Sequence, residues 1–254
     1  MSVEPTYPDL DGASVLVSGG ASGIGEALVR RFARQGARVG FVDLLAEAGE
    51  ALERELVGRG HRVAFRRCDI TDTAAYRRAI ESLATDHGPV SVLVNNAADD
   101  ARHALDGLTP ERFDELVAVN LKHQLFAAQA VAPAMIERGG GSIVNVGSFG
   151  WMIATAGYPV YAACKAAVHG MTRGLARDLG HHRVRVNTLV PGWVMTEKQV
   201  RLWVDDAARE LIDRSQCLPD PVLPEHVANA ALFLASDASA MCTAQNFVVD
   251  GGWA

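Results

Sequence analysis

Short apolar runs without polar alternation recur along this chain, and each gives way to a stretch of helical character. The runs fall at residues 14–17, 36–42, 62–65, 91–94, 142–146 and 184–190. A strand that is apolar throughout has both faces buried, which is the habit of parallel sheets. Parallel neighbours need a long crossover between them, usually a helix. Six strands alternating with helices therefore imply an α/β fold: a doubly wound parallel sheet of Rossmann type, three layers deep, built from right-handed βαβ units. Asn246–Val249 reads as a last strand before Gly251 and Gly252. One long helix is expected over residues 110–138, capped by Thr109 and Pro110, and another over 159–179. Residues 193–222 are less regular. With no internal repeat and no linker, residues 1–254 are expected to form a single domain.

The charge balance narrows the partners. Net charge is −6 and there is no basic block, which argues against nucleic acid or an anionic membrane as a partner. No apolar stretch is long enough to span a bilayer. The first eleven residues are polar and acidic, unlike a signal peptide. Cys68, Cys164, Cys217 and Cys242 are scattered without paired spacing. Neither a disulfide framework nor a metal site is expected, and a cytoplasmic setting follows.

Two motifs carry chemistry. Between the first strand and the first helix lies Ser18-Gly-Gly-Ala-Ser-Gly-Ile-Gly25, with glycines at 19, 23 and 25 in the spacing G-x-x-x-G-x-G. A helix N-terminus offers free N–H groups and a partial positive charge, and glycine lets a diphosphate approach the backbone. The second strand ends at Asp43, eighteen residues after Gly25. A carboxylate there can accept both ribose hydroxyls of an adenosine and repels a 2′-phosphate. No Lys or Arg lies in residues 18–25 to offset that repulsion, so NAD is expected rather than NADP. The second motif is Tyr161 and Lys165, one turn apart on one face of the expected 159–179 helix. An ammonium beside a phenol favours the phenolate, which can take a proton from an alcohol. Tyr158, seven residues from Lys165, lacks that spacing. Tyr-x-x-x-Lys alone occurs in many helices and decides nothing without partners.

With these residues in order, the chain resembles the short-chain dehydrogenase/reductase family essentially from end to end. The glycine loop, Asp43, Asp69 with Ile70 after the third strand, and Asn95-Asn96-Ala97-Ala98 after the fourth all match family motifs, with Ala98 standing where the family has glycine. So do Asn120 in a helix, where asparagine is disfavoured, Ser148 after the fifth strand, the Tyr161/Lys165 pair, and Pro191-Gly192 followed by Val194 and Thr196. The resemblance implies catalysis by Asn120, Ser148, Tyr161 and Lys165. It implies NAD bound by Gly19, Ser22, Gly23, Ile24, Gly25, Asp43, Asp69, Ile70, Asn96, Ala97, Tyr161, Lys165, Pro191, Gly192, Val194 and Thr196. Ser148 and Tyr161 would hold the substrate hydroxyl and Tyr161 would take its proton. Lys165 would grip the nicotinamide ribose, its charge together with that of the oxidised nicotinamide would lower the Tyr161 pKa, and Asn120 would bend its helix and hold a water linking Lys165 to solvent.

The segment Asp99-Asp-Ala-Arg-His103 brings polar and charged groups beside the expected cleft, as a polyhydroxylated substrate requires. Trp151, Trp193 and Trp203 offer flat faces for a sugar ring. Residues 95–103, 147–151, 215–218 and 250–253 resemble the bacterial aldose 1-dehydrogenase branch of the family. That branch oxidises the anomeric hydroxyl of a xylose-, arabinose-, galactose- or fucose-like sugar to a lactone. The substrate-binding residues so implied are Asp99, His103, Ser148, Trp151, Tyr161 and Trp193, under a mobile lid at residues 193–222. A polyol dehydrogenase or 3-oxoacyl reductase of the same family is the alternative. A regulator that binds nucleotide without catalysis would be expected to lack Ser148, Tyr161 or Lys165. The family also suggests a homotetramer packed through the helices at 110–138 and 159–179, with Trp253 reaching a neighbouring subunit.

Overall fold

The computed structural model describes residues 4–254. Seven parallel strands form one sheet: β1 (Ser14–Ser18), β2 (Arg38–Asp43), β3 (Arg62–Arg67), β4 (Val92–Asn95), β5 (Gly141–Val146), β6 (Val184–Pro191) and β7 (Asn246–Val249), in the order β3-β2-β1-β4-β5-β6-β7. Alternate residues of each strand enter different cores. Val15 and Val17 join the cluster containing Phe32 and Val227, whereas Leu16 joins that of Tyr76, Val131 and Ile143. Both faces thus demand apolar side chains, which is why the strands read as unbroken hydrophobic runs.

The helices that cover these faces are α1 (Gly23–Arg34), α2 (Ala46–Gly58), α3 (Thr73–His87), α4 (Pro110–Val117), α5 (His123–Glu137), α6 (Pro159–Leu179), α7 (Glu197–Trp203), α8 (Asp206–Ser215) and α9 (Pro224–Ala235). Their starts are written in the sequence. The Asp72 carboxylate accepts from the Ala75 N–H and the Thr109 hydroxyl from the Arg112 N–H. Pro110, Pro159 and Pro224 occupy first helical positions, where a missing N–H costs nothing.

Two departures from the sequence reading matter for function. The expected helix at 110–138 is interrupted by a π-helical turn at Ala118–Lys122, centred on Asn120. Residues 193–222, read as irregular, contain α7 and α8. Thr196 and Asp205 cap them by accepting from the N–H groups of Gln199 and Ala208. α7 buries no residue and α8 only Ala208. Helices resting on a surface by so few contacts leave little apolar periodicity to read.

Strand order reverses between β1 and β4, so their C-terminal ends splay their loops apart. Such a switch point opens a crevice, and a cleft of about 1370 Å³ lies there, bounded by the 19–25 loop, the 96–102 segment, α6 and α7.

Candidate active site

The floor of the cleft is knotted together by Ser18 and Asn96. The Ser18 hydroxyl accepts from the N–H groups of Asn96 (3.1 Å) and Ala97 (3.2 Å). The Asn96 amide donates to the carbonyls of Ser18 (3.1 Å) and Gly19 (2.9 Å). Ala98, standing where the family has glycine, is not among the residues with positive φ, so its methyl group adds no backbone strain. Gly19 does have positive φ, +67°, and Gly25 has no room for a side chain: a Cβ there would lie 1.7 Å from the Gly19 carbonyl oxygen. Free N–H groups and a close-packed glycine turn at the start of α1 make a cradle that could hold a diphosphate. Gly19, Ser22, Gly23, Ile24 and Gly25 all line it, and Thr196 closes the far side, its Cγ2 3.1 Å from where a Gly23 Cβ would stand.

Asp43 lies at the adjoining end of the cleft. Its Oδ2 accepts from the Ala21 N–H (2.9 Å) and its Oδ1 from the Leu45 N–H (3.0 Å), so the carboxylate is aimed by backbone on both sides. Asp69 is similarly fixed by the Thr71 N–H and hydroxyl, beside Ile70. Asn96, Ala97, Pro191, Gly192 and Val194 complete the wall.

Ser148, Tyr161 and Lys165 meet in this cleft. The Lys165 ammonium is buried and donates to the Val146 carbonyl (2.8 Å). Burial brings it down to about 8, with Cys164 and Asp100 acting the other way. Burial pushes the Tyr161 phenol above its ordinary range, opposed by the Ser148 hydroxyl. The Lys165 ammonium, bonded to Val146, stands 5.7 Å from the Tyr161 ring centroid. Asn120 is fully buried, and its amide is spent on protein. Its Nδ2 donates to the carbonyls of Asp99 and Leu116, both at 3.0 Å, and its Oδ1 accepts from the Asp99 N–H at 3.0 Å. The side chain ties the 99–103 segment to the π turn, and both N–H groups of its amide are used in doing so.

The substrate side differs more from expectation. Trp193 lines the cleft, and its buried indole N–H has no protein partner. Asp99 also lines it, its Oδ2 accepting from Arg112 at 3.2 Å. Trp151 does not line the cleft. Its ring stacks edge-on against His169, and its Nε1 donates to that imidazole at 3.3 Å. His103 is likewise drawn away, its Nε2 accepting from the Val160 N–H at the start of α6. Trp253 packs in its own chain against Phe149 (5.3 Å) and Trp193 (6.3 Å), forming an aromatic wall.

Asp100 and Arg102, placed beside the cleft by the sequence but given no individual role, and Tyr158, set aside on its spacing, all line the cleft. Tyr158 stands edge-on to Tyr161 at 5.1 Å, with the Arg102 guanidinium 4.0 Å over its ring. Its place just before Pro159, at the entry to α6, was the available signal. Among the described residues no group of His, Cys, Asp or Glu could hold a metal ion, and no helix is long and apolar enough to cross a membrane.

The chain is similar to known proteins over nearly its whole length. Residues 19–254 match the family model described as enoyl-(acyl carrier protein) reductase. The chain is 43% identical over 247 residues to a D-xylose 1-dehydrogenase of Caulobacter vibrioides, covering 97% of this chain and 98% of that one. It is 45% identical to a probable galactose dehydrogenase of Rhizobium meliloti, covering 97% and 96%. Among solved structures, a gluconate 5-dehydrogenase from Burkholderia cenocepacia in complex with NADP and tartrate superposes with a TM-score of 0.89 at 33% identity, covering 97% of each chain. A 7α-hydroxysteroid dehydrogenase complexed with NADH gives a TM-score of 0.92 at 29% identity, covering 97% of this chain and 96% of that one.

Proposed function

This chain belongs to the short-chain dehydrogenase/reductase family, and from that premise we propose that it oxidises the anomeric hydroxyl of an aldose to the lactone with NAD⁺. One observation carries the reading: Ser148, Tyr161 and Lys165 converge beside a diphosphate cradle in a chain 43% and 45% identical to two aldose dehydrogenases. The residues fit the dinucleotide. Gly25 leaves the cradle open to a diphosphate, and the aimed Asp43 carboxylate suits ribose hydroxyls. Oxidised nicotinamide, when bound, accepts the hydride from the carbinol carbon.

The chain's own residues do the rest. Ser148 and Tyr161 hold the substrate hydroxyl, and Tyr161 takes its proton as general base. Lys165 holds the ribose and keeps positive charge near the phenol. The Trp193, Trp253 and Phe149 rings line the cleft and offer apolar faces to a sugar ring. A spectrophotometric screen of NAD⁺ reduction with D-xylose, L-arabinose, D-galactose, D-fucose, polyols and secondary alcohols tests the reading. Activity confined to polyols or secondary alcohols would remove it.

NAD rather than NADP is part of the proposal. A 2′-phosphate would face Asp43. Arg30, the cation lining that end of the cleft, is committed to Glu26 (2.8 Å) and, through two hydrogen bonds of 2.8 Å, to Glu55. We expect Asp43→Asn to lower kcat/KM for NAD⁺ by about tenfold to a hundredfold, the worth of charge-assisted hydrogen bonds, while that for NADP⁺ rises. Equal effects on the two cofactors would overturn the assignment. The proposal also holds that the chain is a cytoplasmic homotetramer, an assembly for which the exposed Phe113 on α4 and Leu125 on α5 supply apolar surface. Light scattering at the monomer mass would rule the tetramer out.

A further inference from the structure

Successive turns of α6 carry buried polar side chains at Lys165, His169 and Thr172. Two of them fasten the helix to the sheet. Lys165 donates to the Val146 carbonyl at the end of β5. The Thr172 hydroxyl accepts from Asn145 Nδ2 on β5 (3.0 Å) and from the Thr188 hydroxyl on β6 (2.9 Å). His169 does something else. It lies four residues beyond Lys165 and eight beyond Tyr161, on the stripe of α6 that carries both catalytic groups. Yet it does not line the cleft.

Its imidazole is lodged against the turn that presents Ser148. A Cβ on Gly147 would stand 3.3 Å from its Nε2. The same Nε2 accepts from Trp151 Nε1 at 3.3 Å, with the two rings edge-on at 5.0 Å. His169 therefore meets the chain one residue before Ser148 and three residues after it. The first part of the turn is held by β6, since the N–H groups of Gly147 and Phe149 donate to the carbonyls of Leu189 (2.7 Å) and Pro191 (3.1 Å). The second part is not. The N–H groups of Gly150, Met152, Ile153 and Thr155 bond only within the turn, to Ser148 Oγ, Phe149 or Gly150. Met152 is exposed, and Ala154 has a positive φ of 53°. Among the described residues, the Trp151–His169 bond is the hydrogen bond that ties residues 150–155 to another element. Burial lowers the His169 pKa, which keeps the ring neutral and its Nε2 able to accept.

We propose that His169 is a positioning residue for the alcohol oxidation: accepting from Trp151 while packed against Gly147, it clamps the turn that presents Ser148 to the helix that presents Tyr161 and Lys165. The substrate hydroxyl must meet Ser148 and Tyr161 together, and these come from different elements. The Ser148 hydroxyl accepts from the Gly150 N–H at 3.1 Å, so movement at residues 150–151 passes directly to its oxygen. A misplacement of about 1 Å there costs up to about a hundredfold in rate. Trp151 thereby serves the reaction from outside the cleft, by holding the serine.

The inference rests on reading Ser148 and Tyr161 as the groups that hold the substrate hydroxyl. Its test compares His169→Phe, His169→Gln, Trp151→Phe and the His169→Phe/Trp151→Phe double variant, each in oxidation of the aldose that wild type turns over fastest. His169→Phe keeps a ring without the acceptor, and Trp151→Phe keeps a ring without the donor. Either should lower kcat by about fivefold to fiftyfold while KM for NAD⁺ stays within about twofold. The double variant should lose no more than either single one, because one lost partner already opens the clamp. His169→Gln, whose amide oxygen can accept from Trp151, should recover most of the turnover. Trp151 stands at the surface, so Trp151→Phe reports even where a substitution at buried His169 fails to fold. Losses that add in the double variant, a His169→Gln no better than His169→Phe, or a fall in Tm with kcat unmoved would each overturn the proposal. Absence of turnover by wild type with any sugar or alcohol would instead remove the reading of the site itself.

Discussion

Tyr161→Phe lowers kcat by about a thousandfold to ten-thousandfold, the upper reach of what a positioned general base contributes. The variant removes one hydroxyl and nothing else. The ring keeps its edge-on contact with Tyr158 at 5.1 Å, and Lys165 keeps its bond to the Val146 carbonyl, so neither packing nor the ribose site should suffer. Cofactor affinity, followed by quenching of tryptophan fluorescence, should stay close to wild type. The informative control is Tyr158→Phe. Tyr158 is also buried, also lines the cleft, and its hydroxyl lies close to Gly150 and the Ser148 side of the pocket. Four-residue spacing assigns the base to Tyr161, so Tyr158→Phe should keep most of its turnover. If the two losses were exchanged, the assignment of the base would be wrong even though the family assignment stood. The pH profile carries a second sign. Burial holds the Tyr161 phenol above its ordinary range, so oxidation should fall steadily as pH is lowered and the base stays protonated.

How much of this could be read from the chain depends on whether a residue acts through its neighbours in sequence or through distant ones. The strands were legible because burial on both faces leaves an unmistakable apolar run, as in Val15, Leu16 and Val17, which serve two different cores. Helix starts at Asp72, Thr109 and Pro159 were legible because caps act within one turn. The π turn at Asn120 was not, and the Asn120 side chain that accompanies it bonds to the backbone of Asp99, twenty-one residues away. Direction of side chains was not legible either. His103 and Trp151 sit in the segments expected to meet substrate, yet one caps α6 and the other packs on His169. Arg102 and Asp100, from the same segment as His103, took the places in the cleft instead. Composition put polar groups in that segment; only the path of the backbone decided which of them faced inward.

The glycine loop shows the same distinction within one motif, and it supports the second large effect: Gly25→Ala should abolish NAD binding and destabilise the fold by about 3 kcal/mol. The sequence marks Gly19, Gly23 and Gly25 alike. The structure separates them by what a methyl group would strike. At Gly25 a Cβ would lie 1.7 Å from the Gly19 oxygen, 2.7 Å from the Gly19 carbonyl carbon and 2.8 Å from Asn96 Nδ2. None of these can yield cheaply. The Gly19 N–H is bonded to Val42 (2.8 Å), its carbonyl accepts from Asn96 (2.9 Å), and Asn96 also ties β4 to β1 through Ser18. Relieving the clash means moving the loop that would hold the diphosphate. At Gly141, by contrast, the nearest atoms to a Cβ would belong to the Met135 side chain and not to backbone. At Gly170, exposed on α6 within this chain, it would meet nothing within 4 Å. The Gly25→Ala loss should appear as a fall in Tm of about 6–12 °C, together with loss of the NAD⁺-induced rise in Tm that wild type shows through ligand linkage. A Gly25→Ala protein that binds NAD⁺ as wild type does would mean that the cofactor does not lie against this turn, and the cradle would have to be sought elsewhere in the cleft.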